Sequence, residues 1–142
     1  MPAICWSNFS RQMALWQMRA YGPGLIIHLY DNNVTPAPTN VLADFNEASY
    51  PGYASIPWDP GLPSIVAPNR AAWAPFSALF PPPLSGGAVS IYGFYITFQT
   101  TYGAGHWLMQ AARFTGAPIS FSPATDPIFF VVQDSDYDIN NP

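Results

Sequence analysis

Between Gly24 and the C-terminal tail the chain is cut into short apolar runs separated by turn residues. The first run, LIIHLY (25–30), is rich in β-branched residues and is bounded by Gly24 and by Asp31-Asn32-Asn33, which predicts a strand. The strongest strand signal is SIYGFYITFQT (90–100). There Ile91, Gly93, Tyr95, Thr97 and Gln99 alternate with Tyr92, Phe94, Ile96 and Phe98, the two-residue period of a pleated strand. TTYGAG (100–105) reads as a turn and HWLMQAARF (106–114) as the returning hairpin partner. TGAP turns the chain again, and PISFS and DPIFFVVQ supply two more strands. The N-terminal pattern differs. Trp6, Phe9, Met13, Trp16 and Ala20 recur at spacings of three and four, which predicts a short helix over Arg11 to Ala20. Ser7 or Ser10 would cap it, and Tyr21-Gly22-Pro23-Gly24 would end it. Such a stripe either packs on the chain's own core or docks as an arm on a neighbour.

Residues 55 to 87 break the rhythm. IPWDPGLPSIVAP and FSALFPPPLSGG are dense in proline, which cannot donate to a central ladder. Trp58, Trp73, Phe76 and Phe80 within this stretch argue against a free linker. The expectation is an ordered, extended excursion lying over the sheets or over a neighbour, with ASIP and AAWAPFSALF as edge strands. Together these signals predict an all-β fold: an antiparallel, jelly-roll-like β-sandwich over residues 23–134. Residues 1–22 would form an N-terminal helix or arm, and residues 135–142 an acidic tail that frays.

Composition sharpens the picture. At 142 residues the chain suits one domain. Charged residues make up only 8% and there is no lysine; Arg11, Arg19, Arg70 and Arg113 are the only cations besides histidine. An ordinary soluble domain carries about 25% charged residues. So little charge makes a solitary surface hard to keep soluble, which suggests that partners cover much of it. Aromatics at 16% weigh against disorder. Proline, glycine and polar interruptions leave no apolar run long enough for a transmembrane helix. The net charge of −4 argues against nucleic-acid binding. Cys5 stands alone, so no intrachain disulfide is expected. MPAICWSNFSRQ lacks the layout of a secretory signal, so the chain is expected to be made in a cytoplasm and not secreted. The sequons at Asn8 and Asn33 are then read as chance.

Chemistry is sparse. His28 and His106 each lie at a predicted strand, with no zinc-binding pattern around them. Asp44 and Glu47 are three positions apart and could act as a carboxylate pair on a glycan. The local pattern fits a structural role better: Asp44 and Asn46 can cap turns, and Glu47 can satisfy nearby backbone amides. Asp134, Asp136 and Asp138 open like a calcium loop, but Ile139 occupies the place that needs glycine. Trp58, Trp73, Trp107 and the tyrosines could form a sugar platform, although aromatics in all-β chains more often serve core or interface. No catalytic residue, cofactor or metal site is expected.

Leu29-Tyr30, Asn32-Asn33-Val34-Thr35-Pro36, Val41-Leu42-Ala43-Asp44-Phe45, Glu47-Ala48 and Gly52-Tyr53-Ala54 follow one another in a distinctive order. IYGFYIT (91–97) follows, then a glycine turn and a Trp-Leu strand ending in Arg-Phe. This succession resembles small virion-associated proteins of tailed bacteriophages. The resemblance covers about half the chain, and the Pro-rich excursion departs from it. It implies a non-enzymatic structural protein: a capsid cement or decoration subunit that binds and stabilises the assembled major capsid protein on the outside of the virion. A tail-associated module that binds a receptor or glycan is the alternative. The implied partners are the major capsid protein and further copies of the chain, a trimer among the arrangements. Neither nucleic acid nor membrane is expected as a partner. The aromatics selected as interface anchors are Trp6, Phe9, Trp16, Phe45, Tyr50, Tyr53, Trp58, Trp73, Phe76 and Phe80.

Overall fold

The described residues form ten short strands, all paired antiparallel, the longest of them where the alternating and β-branched runs lie. The computed structural model describes residues 24–59, 64–67, 70–72, 74–99 and 106–132. The expected helix at Arg11–Ala20 and the acidic tail lie outside these residues.

A four-stranded sheet runs in the order β2-β1-β7-β8. Its centre is β1 (Leu25–Tyr30) against β7 (Gly93–Gln99), paired over six positions from Leu25↔Phe98 to Tyr30↔Gly93. β2 (Ile56–Trp58) closes one side and β8 (His106–Arg113) the other. β2 contains Pro57 and is an edge strand, where a missing backbone donor does little harm. Three two-stranded pairs complete the fold: β3 (Ser64–Ala67) with β4 (Arg70–Ala72), β5 (Phe76–Phe80) with β10 (Ile128–Val132), and β6 (Val89–Ile91) with β9 (Ile119–Phe121).

Alternation along β1 and β7 divides the main sheet into two faces. Leu25, Ile27 and Leu29 with Phe94 and Ile96 enter the larger core, where they meet Ala78 and Phe80 of β5, Ile128 and Val132 of β10, and Ile91 and Phe121 of the β6–β9 pair. Tyr30 and Tyr95 face the other way and build a smaller cluster with Phe45.

Two expectations change. The predicted strand 90–100 is broken at Tyr92, so that β6 pairs with β9 while β7 joins the main sheet. The break is held by backbone bonds: Tyr92 N–H donates to Tyr30 O (3.0 Å), and Tyr92 O accepts from Phe114 N–H (2.9 Å). The Pro-rich excursion is also more than a covering strap. FSALF contains no proline, and it alternates so that Ala78 and Phe80 are fully buried. β5 therefore builds the core directly; proline confines only its flanks.

Glycine is obligatory at position 93. A Cβ there would sit 2.7 Å from Cε1 and Oη of Tyr30 and would strike the carbonyl oxygen of Ala112. The Tyr30 ring lies over the bare backbone of its cross-strand partner, a known way of covering a strand glycine.

Candidate functional site

The segment that leaves β1 at Asp31 turns back so that Glu47 forms an antiparallel bridge with Tyr30. Asn32 makes this return possible. Its Nδ2 donates to Asp44 O (2.8 Å), and its Oδ1 accepts from Asn46 N–H (2.9 Å), so one amide staples both limbs of the loop. Asp31 N–H donates to Asn46 O and Ala48 N–H to Leu29 O. The Val34 carbonyl accepts from the Tyr30 hydroxyl (3.2 Å) and from Arg113 Nη1 (3.0 Å), which ties the loop to β8. The same guanidinium lies 5.0 Å over the Tyr92 ring.

This return brings Glu47 to His28. His28 Nδ1 lies 2.8 Å from Glu47 Oε1, and Nε2 lies 3.0 Å from Thr97 Oγ1 on the adjacent strand. A carboxylate can only accept, so in the neutral ring Nδ1 carries the hydrogen and Nε2 accepts from the Thr97 hydroxyl. The imidazole stacks on Tyr95, its direct cross-strand partner, at 4.7 Å and 10°. Glu47 Oε1 also accepts from the Tyr53 hydroxyl (3.0 Å), and that hydroxyl accepts from Leu29 N–H (3.2 Å). β2 pairs only with Leu25 to Ile27, so the Tyr53 side chain bonds the β1 backbone beyond the end of β2.

The order carboxylate, imidazole, hydroxyl is that of a nucleophilic triad. Here it cannot act as one, because Thr97 is 1% exposed and no substrate carbonyl can reach its oxygen. His28 is buried as well, while the Glu47 side chain is 43% exposed. The arrangement satisfies two buried polar groups and fastens the loop to the sheet.

The four ionisable residues of this region do not converge. Only His28 and Glu47 meet. Asp31 is exposed, with its backbone N–H bonded to Asn46. Asp44 caps the short 3₁₀ turn Leu42–Asp44: its Oδ2 accepts from Val41 N–H and from Asn40 Nδ2, both at 2.9 Å. These bonds, Val41's first, hold the Asp44 carboxyl below its usual range, the opposite of what a general acid needs. The carboxylate pair suggested by spacing is thus two separate structural groups. Among the described residues no three His, Cys, Asp or Glu side chains gather as metal ligands.

No family model, curated protein or solved structure matches this chain.

The aromatics expected at an interface lie mostly inside. Phe45, Tyr50, Trp58 and Phe80 are buried at 8% exposure or less, and Tyr53 and Phe76 pack half-buried against the larger core. Phe80 stacks with Tyr53 and Phe130, and Trp58 with Phe76. These six are internal packing residues; Trp6, Phe9, Trp16 and Trp73 lie outside the described residues. Of the residues considered for a sugar platform, Trp58 and Trp107 do not come together, and Trp73 lies outside the described residues. Trp58 and Trp107 stand on opposite edge strands of the sheet, and Trp58 is buried.

Three exposed apolar side chains on β5 and β10 are ones that the choice of anchors by residue type did not include. Phe129 and Leu79 are direct cross-strand partners on β10 and β5, at 62% and 55% exposure, with Val131 beside them at 44%. The signal was present in FSALF and IFFVV, where both alternating faces are largely apolar. Sequence alone did not say which face was covered.

Proposed function

We propose that this protein is a non-enzymatic structural component of a bacteriophage virion, acting as a cement subunit on the assembled capsid shell. The outer face of the β5–β10 ribbon would be its contact surface. One observation carries the reading: the strip formed by Leu79, Phe129 and Val131, on a ribbon whose inner face is already core. A contiguous apolar strip on a chain with so few charges is the kind of surface that binds another protein. A loop network in which His28, Glu47, Asn32 and Asp44 are each tied into internal bonds supports a scaffold role.

Purified particles would contain this chain in a fixed ratio to the major capsid protein, measured by quantitative mass spectrometry. Hundreds of copies per particle are expected. A few to a few dozen would move the assignment to the tail, and absence from intact particles would overturn it. Leu79→Asp and Phe129→Asp would abolish binding to assembled heads while leaving the far-ultraviolet circular dichroism unchanged.

A further inference from the structure

Among the described residues β8 is the longest strand; it lies at one side of the main sheet, and no described strand pairs with its outer edge. Residues 107–112, WLMQAA, contain no charge and no proline, two of the devices that keep a sheet edge solitary. The strand carries one irregularity. Ile96 pairs with Gln110 and Thr97 with Leu108, which leaves Met109 as the extra residue of a bulge.

The bulge gives β8 an unusual symmetry. Leu108 and Ala111 pack on the Tyr30–Tyr95 face. Met109 and Ala112 pack on the larger core's face. Trp107 and Gln110 are paired with Phe98 and Ile96, whose side chains belong to that same larger core. Read from either end, the facing of residues 107–112 is the same: core, opposite, core, core, opposite, core. The pattern is symmetric about the point between Met109 and Gln110.

We infer that β8 pairs antiparallel with β8 of a second copy, across a twofold axis between Met109 and Gln110, joining two four-stranded sheets into one. An extended backbone is what an open ladder edge accepts, and twofold pairing of identical strands closes on itself. A partner strand of regular alternation would fall out of facing at the bulge, whereas a copy of β8 keeps facing throughout. In that register Trp107 lies across from Ala112 of the copy, and Leu108 from Ala111, so large meets small twice on each side of the axis. Trp107, 59% exposed in the isolated chain, would be covered. Gln110 Oε1, buried without a partner, would lie beside the incoming strand. The end pair, His106 with Arg113 of the copy, adds little repulsion, because each Arg113 is turned back to Val34 O and the Tyr92 ring of its own chain. This inference uses a different surface from the ribbon face and stands or falls independently of the capsid assignment.

Sedimentation equilibrium of the full chain across the micromolar range is expected to show a monomer–dimer equilibrium. Trp107→Lys, a change at an exposed position, is expected to weaken the dimer about tenfold or more while circular dichroism stays native. Hydrogen exchange of the wild-type chain is expected to slow at Leu108–Ala111 as concentration rises. A monomer throughout would overturn the inference. So would a dimer or trimer that ignores Trp107→Lys, or one whose concentration-dependent protection falls on β5 and β10. If Trp107→Lys does not fold, the wild-type exchange pattern decides alone.

Discussion

His28 Nδ1 and Glu47 Oε1, nineteen positions apart in sequence, lie 2.8 Å from each other, and the bond joins the loop return to the middle of β1. Removing Glu47 leaves the His28 N–H and the Tyr53 hydroxyl without their shared acceptor. Glu47→Ala is expected to cost about 1–2 kcal/mol, toward the lower end of the unsatisfied-donor range because water reaches Glu47. Glu47→Gln keeps an acceptor oxygen and should cost less. Thr97→Val leaves the buried Nε2 unpaired and should cost about 1–3 kcal/mol. Urea unfolding midpoints of the three variants give this ranking, and equal stability of all three would refute it.

Gly93→Ala tests the ring-over-glycine contact. The new methyl would have to displace both the Tyr30 ring and the Ala112 carbonyl, and one of these is backbone in the adjoining strand. Overpacking of this kind costs about 3 kcal/mol or more, enough to cause a large loss in thermal midpoint for a chain of this size. Differential scanning calorimetry measures it directly.

Asn32→Ala removes both staples of the loop at once. A loss of about 1–2 kcal/mol is expected. The opening should be local: hydrogen exchange is expected to accelerate between Asp31 and Ala48 while the β1–β7 ladder stays protected. Uniform acceleration would mean that the loop is part of the global folding unit.

Alkaline pH should unfold the chain through its tyrosines. Burial pushes Tyr50 up to about 12 and raises Tyr30, Tyr53 and Tyr95 as well, with Glu47 adding to the rise at Tyr53 and Tyr95. An unfolded tyrosine ionises near pH 10. Above that pH the unfolded state releases protons that the folded state keeps, so stability falls as pH rises and is intact below it. Absorbance titration should therefore show at least these four of the eight tyrosines ionising together with unfolding and not before. Asp44 works in the other direction: its lowered pKa contributes stability at neutral pH that is lost as the carboxyl protonates in acid.

Five of the strands were legible because each is written locally. LIIHLY, GFYITFQ, HWLMQAAR, ISF and IFFVV all carry their period or their β-branched content within a few residues, and β8 pairs with β7, the strand just before it in sequence. The turn chemistry of residues 31–46 was legible for the same reason: Asn and Asp side chains bond to backbone within reach of their own loop.

Pairings between distant strands were not. Nothing in FSALF names IFFVV as its partner, yet β5 and β10 bind over five positions and decide that Phe80 is core while Phe129 is exposed. Burial of an aromatic depends on which face of its strand another element covers, and that is set by contacts far apart in sequence. For this reason Phe45, Tyr50, Trp58 and Phe80, chosen as anchors by residue type, belong to the interior, and Leu79 and Phe129 belong to the surface. By itself the sequence determined an all-β chain with tight, self-capped turns and little charge. Only the tertiary structure decided that His28 meets Glu47 and Thr97, that Asp44 stands apart, and which apolar side chains remain for a partner, because these depend on the long-range register of β1 with its neighbours.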